Sequence, residues 1–415
     1  MKINLLDEMW NLCSSRLVHR RSGTMSSLSV PKPACLNKPF VAPHRFMFGP
    51  GPSNVPPRIL EAGANPIIGH MHPEMFEIMS DIKSGIQYAF QTQNNLTFAV
   101  SGTGHTAMEC ALFNALEPGD GVLVAVNGIW GERATDMAER IGAKVNTISA
   151  PPGGCFTNDE IKKALSKHRP ALMFLAHGES STGVLHALDG IGDLCHQYGC
   201  LFLVDCVASM GGAPLYMDKQ GIDILYTGSQ KVLNAPPGSA PISFSPRACQ
   251  KAFNRRTKPV SFFLDLAWLA NYWGCDDKPA RTYHHTGPVS AFYSLREALR
   301  MLAEEGLEES WERHRTVAEY FHSGLEDMGL KLFVKDKSSR LPTVTTILAP
   351  PGYDWKEITS FIMKTHNVEV SGGLGPSAGL VLRVGLMGCN SSRASVDMVL
   401  SAFRDALQHC HKSKV

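Results

Sequence analysis

The sequence lacks several features that would direct a protein to a membrane or to a nucleic acid. Over its 415 residues, no apolar run approaches the ~18 residues that a membrane-spanning helix needs. Its 40 basic and 38 acidic residues nearly cancel, which leaves a formal net charge of +2. The chain therefore has no strong positive field for a nucleic acid, and the motifs of nucleic-acid readers are missing. We expect neither a membrane protein nor a nucleic-acid-binding protein.

Signatures of zinc and nucleotide sites are also missing. None of the 11 cysteines belongs to a CxxC pair, which predicts reduced thiols in an intracellular compartment and no zinc site. His284 and His285 resemble a metal pair, but no acidic or cysteine partner stands at ligand spacing, so we expect no metal. Neither the GxGxxG of dinucleotide folds nor the GxxxxGK[ST] of a P-loop is present.

The two ends of the chain carry weak targeting signals. Residues 1–24 are rich in Arg and Ser and poor in acids, as in a mitochondrial transit peptide, although a plain N-terminal tail explains them equally well. Met25 offers a second start that omits this leader. The last residues, Ser413-Lys414-Val415, resemble the peroxisomal signal Ser-Lys-Leu. We assign residues 1–44 to a leader and N-terminal arm.

The body of the chain alternates short apolar runs with helical periodicity. The runs occupy residues 97–100, 121–126, 171–176, 201–205 and 223–226, and helix-like stretches occupy 106–116, 131–143 and 188–199. Continuous apolar runs of this length are typical of strands buried on both faces of a parallel sheet. The alternation predicts an α/β fold with a large, doubly wound, mostly parallel sheet.

From about residue 291 the pattern changes. A long helical region is broken near Gly306, two strand-like stretches follow at 341–350 and 379–388, and a helix closes the chain over 394–409. We expect a large α/β domain over residues 45–305 and a smaller α+β domain over 306–415.

Small or polar residues follow several predicted strands, where ligands of an open α/β sheet bind. The stretch 101–105 (SGTGH) opens a helix, and its backbone N–H groups suit a phosphate, although a tight turn explains it as well. Trp130 follows another strand as either a core residue or a flat face for a planar ring. The polar cluster 177–183 follows a third strand and is either a site or a self-satisfied turn.

Three charged residues stand in apolar surroundings. Asp205 ends the run 201–205 and requires a partner, which is a helix N-cap, an ion pair or a cationic ligand atom. Lys231 follows a buried run and is either a solvated lysine, as most are, or an ammonium near apolar walls. In the second case its pKa is lowered and the amine becomes a nucleophile for Schiff bases. Arg383 lies in the alternating VLRVGL and requires either a ligand carboxylate or a structural ion pair.

Together these residues match the requirements of one cofactor. Pyridoxal phosphate needs a phosphate-binding turn, a stacking ring, an acidic partner for its ring nitrogen and a lysine amine. Each signal is modest by itself, but the set favours a single site for this cofactor.

Longer motifs carry a family resemblance. They are GPGPSN (49–54), NGIWGERA (127–134), HGESSTGV (177–184), DILYTGSQK (223–231), LNAPPG (233–238), WGCDD (273–277) and YHHT (283–286). From about residue 45 to its C-terminus the chain resembles the class V, fold-type I pyridoxal-phosphate-dependent aminotransferases. The resemblance implies transfer of the amino group of alanine or serine to glyoxylate or pyruvate. With alanine and glyoxylate the products are pyruvate and glycine, which implies a role in glyoxylate detoxification.

The same resemblance implies roles for matching positions. Lys231 holds the cofactor covalently and shuttles a proton, and Asp205 pairs with the pyridine nitrogen. The implied cofactor-binding residues are Thr103, Gly104, His105, Trp130, Ser180, Asp205, Gln230, Lys231, Tyr283 and Thr286. The implied substrate-binding residues are Arg383, Ser180 and Gly51. Tyr283 and Thr286 are expected to reach the phosphate of a neighbouring subunit, which implies a homodimer with composite sites.

The chain departs from the family pattern in two places. Thr103 replaces a Ser and retains its hydroxyl, and Val415 replaces the Leu that ends a peroxisomal signal. The expected location is mitochondrial, peroxisomal or both, and dual targeting fits the leader with Met25 behind it.

Three other classes of protein fit less well. Cysteine desulfurases resemble the chain in the sheet but carry a His before the Schiff-base lysine, where this chain has Gln230, and none of its cysteines is evidently the reactive one they need. A dinucleotide-binding oxidoreductase would need the missing GxGxxG. A scaffold on a decayed enzyme fold would have lost the lysine, whereas Lys231, Asp205 and Arg383 are all present.

Overall fold

A computed structural model describes residues 30–276 and 278–410. The leader 1–24, Met25, the tripeptide Ser413-Lys414-Val415 and Asp277 of the WGCDD motif lie outside the described residues. Contacts divide the chain into residues 1–44 and residues 45–415. Within residues 30–44 the backbone forms one 3₁₀ turn, Ala34–Asn37, and the side chains are exposed.

The remaining described residues form an α/β structure. Its helices are α1 Pro57–Gly63, α2 Pro73–Phe90, α3 Gly104–Ala115, α4 Ile129–Ile141, α5 Asn158–His168, α6 Ile191–Gln197, α7 Pro246–Phe253, α8 Leu266–Tyr272, α9 Val289–Glu305, α10 Leu307–Asp327, α11 Trp355–His366 and α12 Arg393–His409. Its strands are β1 Phe46–Met47, β2 Leu96–Gly102, β3 Gly121–Val126, β4 Lys144–Ser149, β5 Leu172–Ala176, β6 Gly178–Glu179, β7 Val184–Leu185, β8 Leu201–Asp205, β9 Ile224–Tyr226, β10 Gly238–Phe244, β11 Val344–Leu348, β12 Val368–Glu369, β13 Ser371–Gly372 and β14 Val381–Gly385.

The central sheet has seven strands in the order β2-β10-β9-β8-β5-β3-β4. Neighbouring strands are parallel except β10, which is antiparallel to both β2 and β9. The five apolar runs correspond to β2, β3, β5, β8 and β9, so the predicted large, mostly parallel sheet is confirmed. The inner strands β5, β8 and β9 are buried along their whole length, as continuous apolar runs require.

The apolar pattern did not predict the strands β4 and β10. The edge strand β4 (KVNTIS) is partly exposed and four of its six residues are polar, so it has no continuous apolar run. Strand β10 contains Pro241, which lacks an N–H donor and argues against a central strand. The carbonyl of Pro241 still accepts a hydrogen bond of 2.9 Å from the Thr227 N–H.

A second core lies under a three-stranded antiparallel sheet, in the order β11-β14-β13. Its buried residues include Phe321 of α10 and Phe403 of α12, in the region where the smaller domain is expected. Phe48 also belongs to this core, and β1 pairs in parallel with β12. The proposed boundary between residues 305 and 306 stays a prediction. It coincides with Gly306, which separates α9 from α10 with φ +92°.

The described residues contain neither a candidate membrane span nor a candidate metal cluster. None of their helices is both long enough and apolar enough to cross a membrane. In residues 30–276 and 278–410, no group of three or more His, Cys, Asp or Glu side chains could hold a metal ion.

Candidate active site

A cavity of about 270 Å³ brings together most of the residues that the sequence singled out. The predicted residues that line it are Gly51, Thr103, Gly104, His105, Trp130, Ser180, Asp205, Gln230, Lys231 and Arg383. Four further residues complete the lining: Pro50, Met108, Val207 and Leu374. The carboxyl ends of the parallel strands β2 and β8 open onto it, which is where ligands bind in open α/β sheets.

Lys231 is buried in this cavity, in the loop between β9 and β10. Burial lowers the pKa of its amine to about 8, and the positive charge of Arg383 adds to the effect, while Asp205 and Glu369 oppose it. The amine donates a short hydrogen bond to the Pro50 carbonyl. Because this pKa lies close to physiological pH, a fraction of the amine is neutral there and can act as a nucleophile.

Asp205 ends β8 and is almost completely buried. Its Oδ1 accepts a hydrogen bond of 2.8 Å from the Val207 N–H, and its Oδ2 accepts one of 2.7 Å from the Tyr226 hydroxyl. Burial raises the pKa of this carboxyl to about 6, although both hydrogen bonds and the charge of Lys231 oppose that rise. A cationic ligand atom in the cavity would stabilise the ionised form.

The turn from β2 into α3 forms one end of the cavity. Thr103 precedes the first residue of α3, and its N–H donates to Thr106 Oγ1 at 3.1 Å. The next N–H groups open the helix and have no carbonyl partner within it, so they suit an anion. A Cβ at Gly104 would lie 3.2 Å from Val207 Cγ2, which shows how little space separates this turn from the segment that follows β8.

Trp130 lies in the first turn of α4, and its position is fixed by the neighbouring segment 179–181. Its indole Nε1 donates to Ser180 Oγ at 2.9 Å, and its backbone N–H donates to the Glu179 carboxylate at 3.2 Å. The His105 ring meets the indole edge-on, with centroids 5.5 Å apart. The indole thus lies beside the phosphate-binding turn, in position to contact a planar ligand ring.

Arg383 lies in the middle of β14 and is buried. Its Nε donates to the Gly372 carbonyl at 2.8 Å, and its Nη1 donates to the Ser180 carbonyl at 3.3 Å. These acceptors orient the guanidinium without neutralising it. Burial lowers the pKa of Arg383, and the negative charge of Glu179 opposes that shift. The group can therefore bind the carboxylate of a ligand.

Tyr283 and Thr286 do not line the cavity of their own chain. Both side chains are exposed, and the Tyr283 ring contacts the His70 ring with centroids 5.5 Å apart. Their implied role at a neighbouring subunit stays a prediction.

The residues of the cavity fit pyridoxal phosphate. The helix-opening turn suits its phosphate, Trp130 suits its ring, and Asp205 suits its protonated ring nitrogen. The buried Oε1 atom of Gln230 has no hydrogen-bond partner among the described residues, so this oxygen can accept a hydrogen bond from a ligand. The buried amine of Lys231 suits the aldehyde of the cofactor.

The sequence patterns overlooked two polar residues around this site. Tyr226 was hidden inside the apolar run of β9, although it pairs in register with Asp205 and shares its face of the sheet. Glu179 was only part of a polar cluster, yet its buried carboxylate accepts the N–H and hydroxyl of Ser181 as well as the Trp130 N–H. Burial raises the pKa of Glu179 to about 7.

Comparisons with known proteins agree with this geometry. The model of the family Aminotransferase class-V matches residues 45–401. The alanine–glyoxylate aminotransferase of Callithrix jacchus is 58% identical over 394 residues, which is 94% of this chain and 95% of the relative. The solved structure of an alanine–glyoxylate aminotransferase from Nostoc sp. superposes with a TM-score of 0.87 at 47% identity, covering 89% of this chain and 97% of that one.

A second solved structure is more distant in sequence. The ureidoglycine–glyoxylate aminotransferase of Bacillus subtilis superposes with a TM-score of 0.87 at 33% identity, covering 91% of this chain and 96% of that one. The agreement of the family model, the relatives and the folds over nearly the whole length leaves one assignment. The chain belongs to the class V aminotransferases.

Proposed function

We propose that the chain transfers the amino group of alanine, or of serine, to glyoxylate or pyruvate. With alanine and glyoxylate, the amino group leaves alanine to give pyruvate and joins glyoxylate to give glycine. The observation that carries the proposal is that the buried amine of Lys231 shares one cavity with Asp205 and Arg383. The high identity to alanine–glyoxylate aminotransferases supports this pair of substrates.

Pyridoxal phosphate is the cofactor of this chemistry, and when bound it supplies an aldehyde that accepts the amino group and a ring that withdraws electrons. Lys231 holds the cofactor and can move a proton at its Nζ, because its lowered pKa lets the amine give and take a proton near neutral pH. Asp205 keeps a proton on the ring nitrogen, and Tyr226 fixes the orientation of its carboxylate.

The substrate end of the cavity selects short 2-amino and 2-oxo acids. Arg383 binds their carboxylate through the guanidinium N–H groups that its contacts to Gly372 and Ser180 leave unused. A cavity of about 270 Å³ lies near the lower limit of ligand pockets, which is about 300 Å³. Once the cofactor occupies part of that volume, only a small side chain fits beside it.

A steady-state assay of purified protein with added pyridoxal phosphate tests the proposal. Pyruvate formation is followed with alanine as donor and glyoxylate as acceptor, and hydroxypyruvate formation is then followed with serine as donor and pyruvate as acceptor. We expect turnover with alanine and glyoxylate that is lost in Lys231→Ala. Turnover with (S)-ureidoglycine alone, and none with alanine or serine, would overturn the substrate assignment.

The homodimer with composite sites is part of the same proposal. It is supported by the exposure of Tyr283 and Thr286 and by exposed aromatic side chains nearby, where Phe262 contacts Trp268 and His284. Mixing a Lys231→Ala chain with a Tyr283→Phe/Thr286→Ala chain tests it. Composite sites predict recovered activity, because one site of the hybrid keeps all native residues. Separate sites predict no recovery.

The proposed mitochondrial or peroxisomal location rests on residues outside the described part of the chain. Imaging of fluorescent fusions that begin at Met1 or at Met25, with and without Ser413-Lys414-Val415, tests it. Organellar signal that depends on these segments would support dual targeting, and a purely cytosolic signal from both starts would overturn it.

A further inference from the structure

The loop that carries Lys231 makes a tight turn at Asn234. The Asn234 N–H donates to the Lys231 carbonyl at 3.0 Å, and Asn234 has a left-handed backbone with φ +54°. Glycine is the residue that adopts this conformation most readily. Asn tolerates it better than most other residues, but a buried Asn at such a position needs partners for its carboxamide.

The carboxamide of Asn234 joins three distant segments of the chain. Its Nδ2 donates to Ser53 Oγ at 2.8 Å and to the Asn54 carbonyl at 3.0 Å. Its Oδ1 accepts from the Cys389 N–H at 2.7 Å. Both amide hydrogens are used, and the side chain is almost fully buried.

Ser53, a hydrogen-bond partner of Asn234, is in turn hydrogen-bonded to Lys231. The Ser53 hydroxyl donates to the Lys231 carbonyl at 2.6 Å, and the Ser53 N–H donates to the Gln230 carbonyl at 2.9 Å. The same segment also reaches the other end of the lysine, because the Pro50 carbonyl accepts from Lys231 Nζ. Residues 50–54 therefore hold both the backbone and the amine of Lys231.

The turn at residues 388–390 lies so close to Asn234 that position 388 requires glycine. Gly388 has φ +57°, and a Cβ there would overlap Asn234 Oδ1 and the Val232 carbonyl. The turn at 388–390 is held in place independently, since His314 Nε2 accepts from the Gly388 N–H at 2.9 Å. Asn234 thus lies between two backbone segments that are held in place, residues 50–54 and the turn at 388–390, and Lys231 precedes it by three residues.

We propose that Asn234 is a positioning residue for Lys231, whose carboxamide fixes the lysine turn between the Ser53–Asn54 segment and the Gly388–Cys389 turn. The inference rests on the proposed function of Lys231. It predicts that loss of the carboxamide leaves the chain folded but lets the lysine amine drift from its place beside Pro50 and toward water.

Asn234→Gly is the informative variant, because glycine keeps the left-handed backbone and removes only the side chain. Gln91→Gly is its matched control, since Gln91 has the same φ of +54° at the C-terminal end of α2. Four quantities are measured for each: the melting temperature, the kcat for alanine, the KM for alanine, and the pH dependence of pyridoxal phosphate capture by the cofactor-free chain, trapped with borohydride.

For Asn234→Gly we expect kcat to fall about tenfold while the KM for alanine changes by no more than about twofold. We also expect the pH midpoint of capture to rise by about one unit, toward that of an exposed lysine. Gln91→Gly is expected to keep the native kcat and the native midpoint. Ser53→Ala should shift kcat and the capture midpoint in the same directions by smaller amounts. This variant provides the test if Asn234→Gly fails to fold.

A melting temperature that falls in Asn234→Gly while kcat and the capture midpoint stay native would overturn the proposal and leave only a structural role. The two proposals fail separately. If the native protein does not transaminate alanine but the capture midpoint still shifts in Asn234→Gly, the positioning role stands and the substrate assignment falls. If no pyridoxal phosphate is captured at Lys231 in the native protein, both fall.

Discussion

Asp205 and Tyr226 are register partners on adjacent parallel strands, and the Tyr226 hydroxyl donates a hydrogen bond of 2.7 Å to Asp205 Oδ2. Strand β9 thus supplies one of the two hydrogen bonds that hold this carboxylate, and the Val207 N–H supplies the other. Tyr226 fits the apolar pattern of its strand, yet its hydroxyl orients Asp205, the residue expected to face the ring nitrogen of the cofactor.

Tyr226→Phe removes this hydroxyl with little change of shape. We expect the pKa of Asp205 to rise further, because the lost hydrogen bond had opposed the effect of burial. A net loss of about 1 kcal/mol for a buried hydrogen bond corresponds to about a fivefold weaker affinity for pyridoxal phosphate. Titration of the cofactor-free chain by visible absorbance measures it. Tyr216→Phe is the control, and an equal loss of affinity in both variants would refute the role.

The raised pKa of Asp205 makes the cofactor-free chain less stable at higher pH. A carboxyl whose pKa rises from 3.8 to about 6 on folding stabilises the fold fully below pH 3.8, and that contribution is lost as the pH rises through 6. The difference corresponds to about 3 kcal/mol. Asp205→Asn has no carboxyl that titrates at this position. The free energy of unfolding of the native chain minus that of the variant should therefore fall, by an amount on the order of 3 kcal/mol, between pH 4 and pH 7.

Urea unfolding of both cofactor-free proteins at a series of pH values measures this difference. Groups that do not interact with Asp205 titrate alike in both proteins and cancel, whereas the charge of Asp205 raises the pKa of Glu179 and adds a coupled contribution above pH 6. A stability difference that rises with pH would contradict the account, because it would mean that the carboxylate is favoured in the folded chain before any cofactor binds.

Gly51 is expected to be required beside Lys231. It has φ +111°, and a Cβ there would lie 2.6 Å from Lys231 Cδ and overlap Nζ. Gly51→Ala should therefore displace the lysine side chain and weaken cofactor attachment, measured as a smaller visible absorbance band. Gly119→Ala is the matched control, because Gly119 has φ +88° with no atom within 4 Å of a new Cβ. The backbone strain of about 1 kcal/mol is then common to both variants. Equal loss of attachment would assign the effect to strain alone.

Arg383→Lys keeps the positive charge but loses the planar fork that binds a carboxylate in two parallel hydrogen bonds. We expect the KM for alanine to rise about 30-fold, which corresponds to about 2 kcal/mol for a charge-assisted contact. Affinity for pyridoxal phosphate should stay close to native. Arg393→Lys, on the exposed start of α12, is the control. An unchanged KM in Arg383→Lys would place the substrate carboxylate elsewhere.

The continuous apolar runs were sufficient to predict the inner strands, because burial on both faces requires them. Lys231 and Asp205 could be predicted as candidate site residues, since charged groups at the end of such a strand or in the loop that follows it need a partner. Tyr226 could not, because its ring satisfies the apolar pattern and only the register with Asp205 reveals the hydroxyl. The place of Phe48 in the second core depends on pairing between β1 and β12, more than 300 residues apart, which no local pattern contains.

Trapping of the cofactor on its lysine tests the central claim most directly. The protein is loaded with pyridoxal phosphate, reduced with borohydride, digested and analysed by peptide mass. The account predicts that the added mass lies on Lys231, and that incubation with L-alanine before reduction removes most of it, because the amine of the substrate displaces the lysine. A label on exposed lysines alone, or a label on Lys231 that alanine does not change, would contradict it.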